Sequence, residues 1–213
     1  MNAILEGLRQ TVDLGGPVVV ILLAISVVTL ATIFYKLWQF SAAGVGRHRA
    51  LKDAVAAWDK GDRAAAGIAL SASSSYLAPV VEMAFNAGPE HAKRLEAEAE
   101  TRFARLEGGF RLLDNVAQLA PLLGLFGTVL GMIEAFQSLQ DAGAQVDPSL
   151  LAGGIWVALL TTAVGLAVAM PTAMVLSWFE ARMDAERVTA ERAIATVLRP
   201  QGRPANQAAR AGA

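Results

Sequence analysis

Three stretches of the 213-residue chain carry no charged residue: 14–35, 115–133 and 148–179. A helix needs about 20 apolar residues to cross a hydrocarbon core about 30 Å thick, and each stretch reaches or nearly reaches that length. Three of them in so short a chain exceed what a soluble core requires. The pattern predicts transmembrane helices over 14–38, 113–139 and 148–180. The first ends in Phe34, Tyr35, Lys36 and Trp38, an aromatic and basic set suited to a membrane interface. Its leader, 1–13, sets Arg9 against Glu6 and Asp13. With an apolar run too long for a cleaved signal, this reads as a retained helix behind a short external segment.

Between and beyond these stretches the pattern is amphipathic. In 39–112, Gly61-Asp62 and Pro79 punctuate two or three short helices. From Pro89 a stronger helix is expected, with Leu95, Ala99, Phe103, Leu106 and Phe110 forming an apolar stripe at steps of four and three. It is expected to run on into the second membrane helix, with Gly108-Gly109 as a soft point. Asp147-Pro148 is a helix start, because Asp caps free N–H groups and Pro suits the first helical position. The third helix should continue as a helix over 181–199 with Met183, Ala190, Ile194 and Val197 on one side, ended by Arg199-Pro200. The tail 200–213 has almost no apolar bulk and is expected to be disordered. The fold class is an all-α integral membrane protein with three transmembrane helices and long cytoplasmic helical extensions.

Charge sets the expected orientation. Lys and Arg crowd 39–112 and the region after the third helix, while 140–147 has neither and only Arg9 precedes the first helix. By the positive-inside bias the N-terminus and the loop 140–147 are external, and 39–112 and 181–213 are cytoplasmic. Overall the chain is 54% hydrophobic and 17% charged, below the quarter or so charged residues of a soluble domain. Membrane lipids are therefore its surroundings, and its net charge of −1 argues against nucleic acid as a partner. The absence of cysteine excludes disulfides and thiolate chemistry. His48 and His91 stand apart in polar surroundings and read as solvated. The membrane stretches hold no metal-ligand set, serine–base pair or aspartate dyad, so neither an enzyme nor a cofactor is expected.

The second and third helices carry stripes of small residues. Ala117, Ala120, Gly124, Thr128, Gly131 and Ala135 recur at steps of three and four, and Gly127 pairs with Gly131 as small-x-x-x-small. Gly154, Ala158, Thr162, Gly165, Ala169 and Thr172 do the same. Small residues let helices approach closely, so Gly124, Gly127, Gly131, Ala158 and Gly165 read as packing positions. Thr128 and Thr162 both lie at membrane depth, with Thr161 beside the latter. Two readings remain for these threonines: bonds to their own helices, or a polar surface lining an oligomer's axis. Glu134 is an ionisable residue near the outer end of the second helix, either a polar membrane site or a side chain reaching the interface. Pro121 and Pro171 each remove a helix hydrogen bond and predict kinks.

Residues 120–133 (APLLGLFGTVLGMI) closely resemble the second-helix signature of the ExbB and TolQ members of the ExbB/TolQ/MotA proton-channel family. Residues 155–171 (IWVALLTTAVGLAVAMP) resemble their third-helix signature, and the resemblance extends over about residues 10–198. It implies a homopentameric inner-membrane subunit. Its pore would enclose an ExbD- or TolR-like partner whose membrane aspartate carries the proton, with Thr128 and Thr162 facing that aspartate. It also implies a possible link to a TonB- or TolA-like protein and work at the outer membrane. Many ExbB and TolQ chains have glutamate where this chain has Val157, which makes the partner's carboxylate the more necessary. The competing function is a passive scaffold anchoring a partner helix. The chain's lack of cysteine allows a direct topology test: in intact spheroplasts an impermeant thiol reagent should label Ala144→Cys and spare Lys60→Cys, and the opposite pattern overturns the orientation.

Overall fold

The computed structural model describes residues 2–141 and 148–202, with side chains described from residue 16 onward except at 148 and 150. Every regular element among them is helical: α1 (Asn2–Ala42), α2 (Arg49–Asp59), α3 (Arg63–Ser71), α4 (Ala78–Phe85), a 3-10 turn (Pro89–His91), α5 (Ala92–Glu107), α6 (Phe110–Asp141) and α7 (Pro148–Leu198). Among the described residues three segments are long and apolar enough to cross a membrane, Gly16–Ala42, Phe110–Asp141 and Leu151–Leu198. Most of the expected loop 140–147 lies outside the described residues, as does Asp147.

Local chemistry explains the breaks. Gly16 interrupts α1 with φ +64°, and Pro17 restarts it. Gly61 takes φ +86°, and Asp62 then caps α3 by accepting a hydrogen bond from the Ala65 amide at 2.9 Å. At 108–109 the helix breaks outright rather than softening. Gly109 adopts φ +94°, a conformation open to glycine, and α6 starts afresh at Phe110. Helical structure continues unbroken through Pro121 and Pro171.

The chain divides into two compact units. One comprises the residues up to Phe34 with Gly109–Trp178. Here Val18 and Leu22 of α1 pack with Val116 and Ala120 of α6 and Ala169 of α7, flanked by Ile25, Leu123, Val164 and Val168.

The other comprises Tyr35–Gly108 with the residues from Phe179 onward. Its core takes the expected stripe of α5, Leu95, Ala99, Phe103 and Leu106, with Met183, Ala190, Ile194 and Val197 of α7. Trp58 stacks on Phe85 with centroids 3.9 Å apart and carries the Arg63 guanidinium on its ring. Two expectations fail in this unit. Lys36 is not an interfacial anchor: it is 2% exposed, and its Nζ donates to the Leu106 carbonyl at 2.9 Å and to Gln39 Oε1 at 2.6 Å. That carbonyl lies in the last turn of α5, where backbone acceptors lack intrahelical donors and a cation is favoured. The tail is not free from residue 200, because Asp59 accepts the amides of Gln201 (2.8 Å, at Oδ1) and Gly202 (2.7 Å, at its carbonyl). Residues 203–213 lie outside the described structure.

Candidate functional site

In the first unit the two small-residue stripes face each other within a single chain. A Cβ built on Gly165 would stand 2.6 Å from the Ala120 carbonyl oxygen and 3.1 Å from Gly124 Cα. One on Gly124 would meet the Thr161 carbonyl oxygen at 2.9 Å and Thr162 Cα at 3.0 Å. Farther along, a Cβ on Gly131 would lie 3.1 Å from that of Ala158, and one on Gly154 2.5 Å from that of Ala135. At Gly124 and Gly165 the contact is with backbone, and at Gly131 and Gly154 it is with an alanine Cβ; such closeness is available only because the side chains are absent or minimal.

The seam does not follow the stripes throughout. On α6 it passes through Ala120, Gly124, Gly127 and Ala135, with Thr128 one position to the side and half-buried. On α7, between 151 and 172, the buried positions are Ala158, Thr161, Gly165, Ala169 and Thr172, and Thr162 is half-buried. Thr161 is 2% exposed, and its hydroxyl points to two carbonyls, Ala158 at 2.7 Å and Gly124 across the seam at 3.1 Å. Its side chain fills the space that a Cβ on Gly127 would need, 2.6 Å from Thr161 Oγ1.

The hydroxyls differ in how they are satisfied. Thr29, Thr32, Thr128 and Thr172 each donate to a carbonyl three or four residues back in their own helix. Thr162 Oγ1 is buried and has no hydrogen-bond partner among the described residues. A buried hydroxyl without a partner costs about 1–3 kcal/mol. Val157 is half-buried a little earlier on α7, and Glu134 is exposed.

The described residues contain no group of His, Asp or Glu able to hold a metal. One polar cluster escaped the sequence reading. His48 is 6% exposed rather than solvated, and its Nε2 lies 2.6 Å from Glu186 Oε2 in the second unit. The two residues are far apart in sequence and no local pattern signals the pair. His91 is exposed and sits 3.0 Å from Glu90.

Three helices long and apolar enough to cross a membrane, two of them meeting along a small-residue seam, mark a multi-pass membrane protein. The chain belongs to the MotA/TolQ/ExbB proton channel family, whose profile matches residues 68–192. It is 35% identical to the putative biopolymer transport protein ExbB-like 1 of Synechocystis sp., over 73% of this chain and 64% of that one. It is 45% identical to the biopolymer transport protein exbB1 of Vibrio cholerae over 32% of this chain and 29% of that one. It is 40% identical to the Tol-Pal system protein TolQ of Haemophilus influenzae over 38% and 35%. The chain thus spans less than two thirds of the length of each of these relatives. The family is one of proton channels, not of enzymes, and together with the three apolar helices it makes this a multi-pass inner-membrane protein.

The seam sets a stability test. Gly165→Val should lower stability in detergent by about 1–3 kcal/mol, the usual cost of overpacking, because the obstructing atoms are backbone. Gly153 has nothing within 4 Å of a built Cβ, so Gly153→Ala should be neutral or stabilising by up to about 1 kcal/mol. Thermal unfolding of the two variants measures both.

Proposed function

We propose that this chain is a stator subunit of a proton-driven inner-membrane motor. In this reading it forms a closed ring, five subunits in all, around the membrane helices of an ExbD- or TolR-like partner. The partner's membrane aspartate carries the proton, and a TonB- or TolA-like protein passes the work to the outer membrane. The observation that carries the reading is the Thr162 hydroxyl, buried without a partner at membrane depth. It is an unsatisfied hydrogen-bond group on a half-buried side chain; rotation about χ1, which exchanges the covered oxygen with the methyl, turns it toward a guest carboxyl or water. Thr128 joins it as a second acceptor, since its single proton is given to the Leu125 carbonyl and its lone pairs remain. Thr161 and the glycines hold the two helices in register behind this surface.

Hydroxyls suit the task physically. An isolated charge is costly in the membrane, so a proton-carrying carboxylate needs donors when ionised and acceptors when protonated. A hydroxyl supplies both. Each proton crossing about 100 mV releases about 2.3 kcal/mol from the electrical term. An ionic trap deeper than that would hold the proton, whereas a hydroxyl contact is worth about 1 kcal/mol. Val157 has no proton to relay, which leaves the carboxylate to the partner.

Thr128→Val and Thr162→Val keep the shape and remove the hydroxyl. Each should reduce proton-driven transport about fivefold, and the pair about thirtyfold, if each contact is worth about 1 kcal/mol. Native mass spectrometry should find a five-membered ring with its partner in wild type and variants alike. Full transport by the double variant, with assembly intact, favours the passive scaffold instead, and a stable monomer in nanodiscs contradicts the ring.

A further inference from the structure

The second unit contains a polar cluster that the proton pathway does not use. Glu186 of α7 is 2% exposed. Its Oε2 accepts from the Tyr76 hydroxyl at 2.9 Å and lies 2.6 Å from His48 Nε2, while Oε1 lies 3.7 Å from Arg182 Nη2. His48 Nδ1 is 3.0 Å from Ser75 Oγ, and Ser75 Oγ also accepts the Leu77 amide at 3.2 Å. Burial, followed by the nearby Glu186 carboxylate, pushes the Tyr76 phenol far up, so it remains a donor. A serine, histidine and glutamate in a row have the outline of a nucleophile relay, but Ser75 is only 4% exposed and turned into the helix start.

The cluster joins three segments that few other bonds connect. His48 precedes α2, Ser75 and Tyr76 precede α4, and Arg182 and Glu186 belong to α7. Among the described residues one backbone hydrogen bond joins the two loops, from the Tyr76 amide to the Ala43 carbonyl at 3.3 Å. Two glycines with positive φ let the first loop close in. A Cβ on Gly44 would stand 2.6 Å from the Ser74 carbonyl oxygen, and one on Gly46 would collide with the Arg182 guanidinium. Arg182 is 39% exposed, so solvent reaches one edge of the cluster. Arg187 stands nearby, over Phe103 and paired with Glu100 and Glu107 of α5.

We propose that His48, Ser75, Tyr76 and Glu186 form a releasable clasp that closes the loops 43–48 and 73–77 onto α7 and opens as a unit without unfolding of the surrounding helices. A buried ionic cluster is a poor way to maximise stability, because apolar residues of similar volume are often as stabilising or more so. Its members can exchange one another for water when the clasp opens, which an apolar patch cannot do without exposing itself. Local opening of this kind is separable from global unfolding.

Hydrogen exchange on the full chain in nanodiscs tests this. The combined variant His48→Leu, Tyr76→Phe, Glu186→Met removes hydrogen bonds yet should slow exchange of the Tyr76 and Leu77 amides at least tenfold, with exchange around Phe103 and Met183 unchanged. Tyr76→Phe alone keeps the ring on Phe103 and should speed exchange of 73–77 at least threefold. Unchanged or faster exchange in the combined variant overturns the proposal, as does its failure to fold, since the cluster would then be a folding requirement. Unchanged exchange in Tyr76→Phe also overturns it.

Discussion

The structure of the membrane unit depends on two helix backbones touching. At Gly124 and Gly165 the two helices approach so closely that any side chain would strike a carbonyl oxygen or a Cα atom. Within a bilayer, burial from water adds little to helix association, because lipid tails are as apolar as leucine. Close packing and a few hydrogen bonds must hold the pair. The seam provides both, by dispersion along Ala120, Gly124, Gly131 and Ala158, and by the Thr161 hydroxyl reaching across to Gly124. The register thus fixed puts Thr161 inside the seam and Thr162 beside it.

The two units use polar groups differently. Among the described threonines of the membrane unit each hydroxyl but that of Thr162 donates to its own helix, the inexpensive solution where water is scarce. In the second unit polar groups join separate segments: Lys36 reaches the end of α5, Asp59 holds the chain after α7, and Glu186 gathers His48 and Tyr76. In the Glu186 cluster, removing a single charged partner leaves a buried charge without compensation, which typically costs about 3–5 kcal/mol.

Charge-free stretches and steps of three and four were enough to locate the spanning helices and the buried side of α5, because burial in either setting selects for apolar periodicity. The stripes also pointed to Gly124, Gly131, Ala158 and Gly165. They could not separate Thr161 from Thr162, or Gly127 from Thr128. Adjacent residues differ by only about 100° around a helix, and a stripe stepping by three and four admits either. Small side chains blur the choice further, since they leave no bulky partner to mark the opposite face. Lys36 misled for a related reason: basic residues after an apolar run usually reach for headgroups, and nothing local announces a carbonyl seventy residues away. The pairing of His48 with Glu186 spans 138 residues and has no periodic signature.

That the small-residue faces meet within one chain is the claim on which the placement of Thr162 rests, and the lack of cysteine makes it accessible. A Cβ on Gly131 would lie 3.1 Å from that of Ala158, near the roughly 3.8 Å of a disulfide. Oxidation of the Gly131→Cys, Ala158→Cys double variant in membranes should close a bond within each chain, so that the protein runs as a monomer on a non-reducing gel and loses both free thiols. Covalent dimers or higher ladders in place of that monomer would show that the stripes face neighbouring subunits, and would contradict the account.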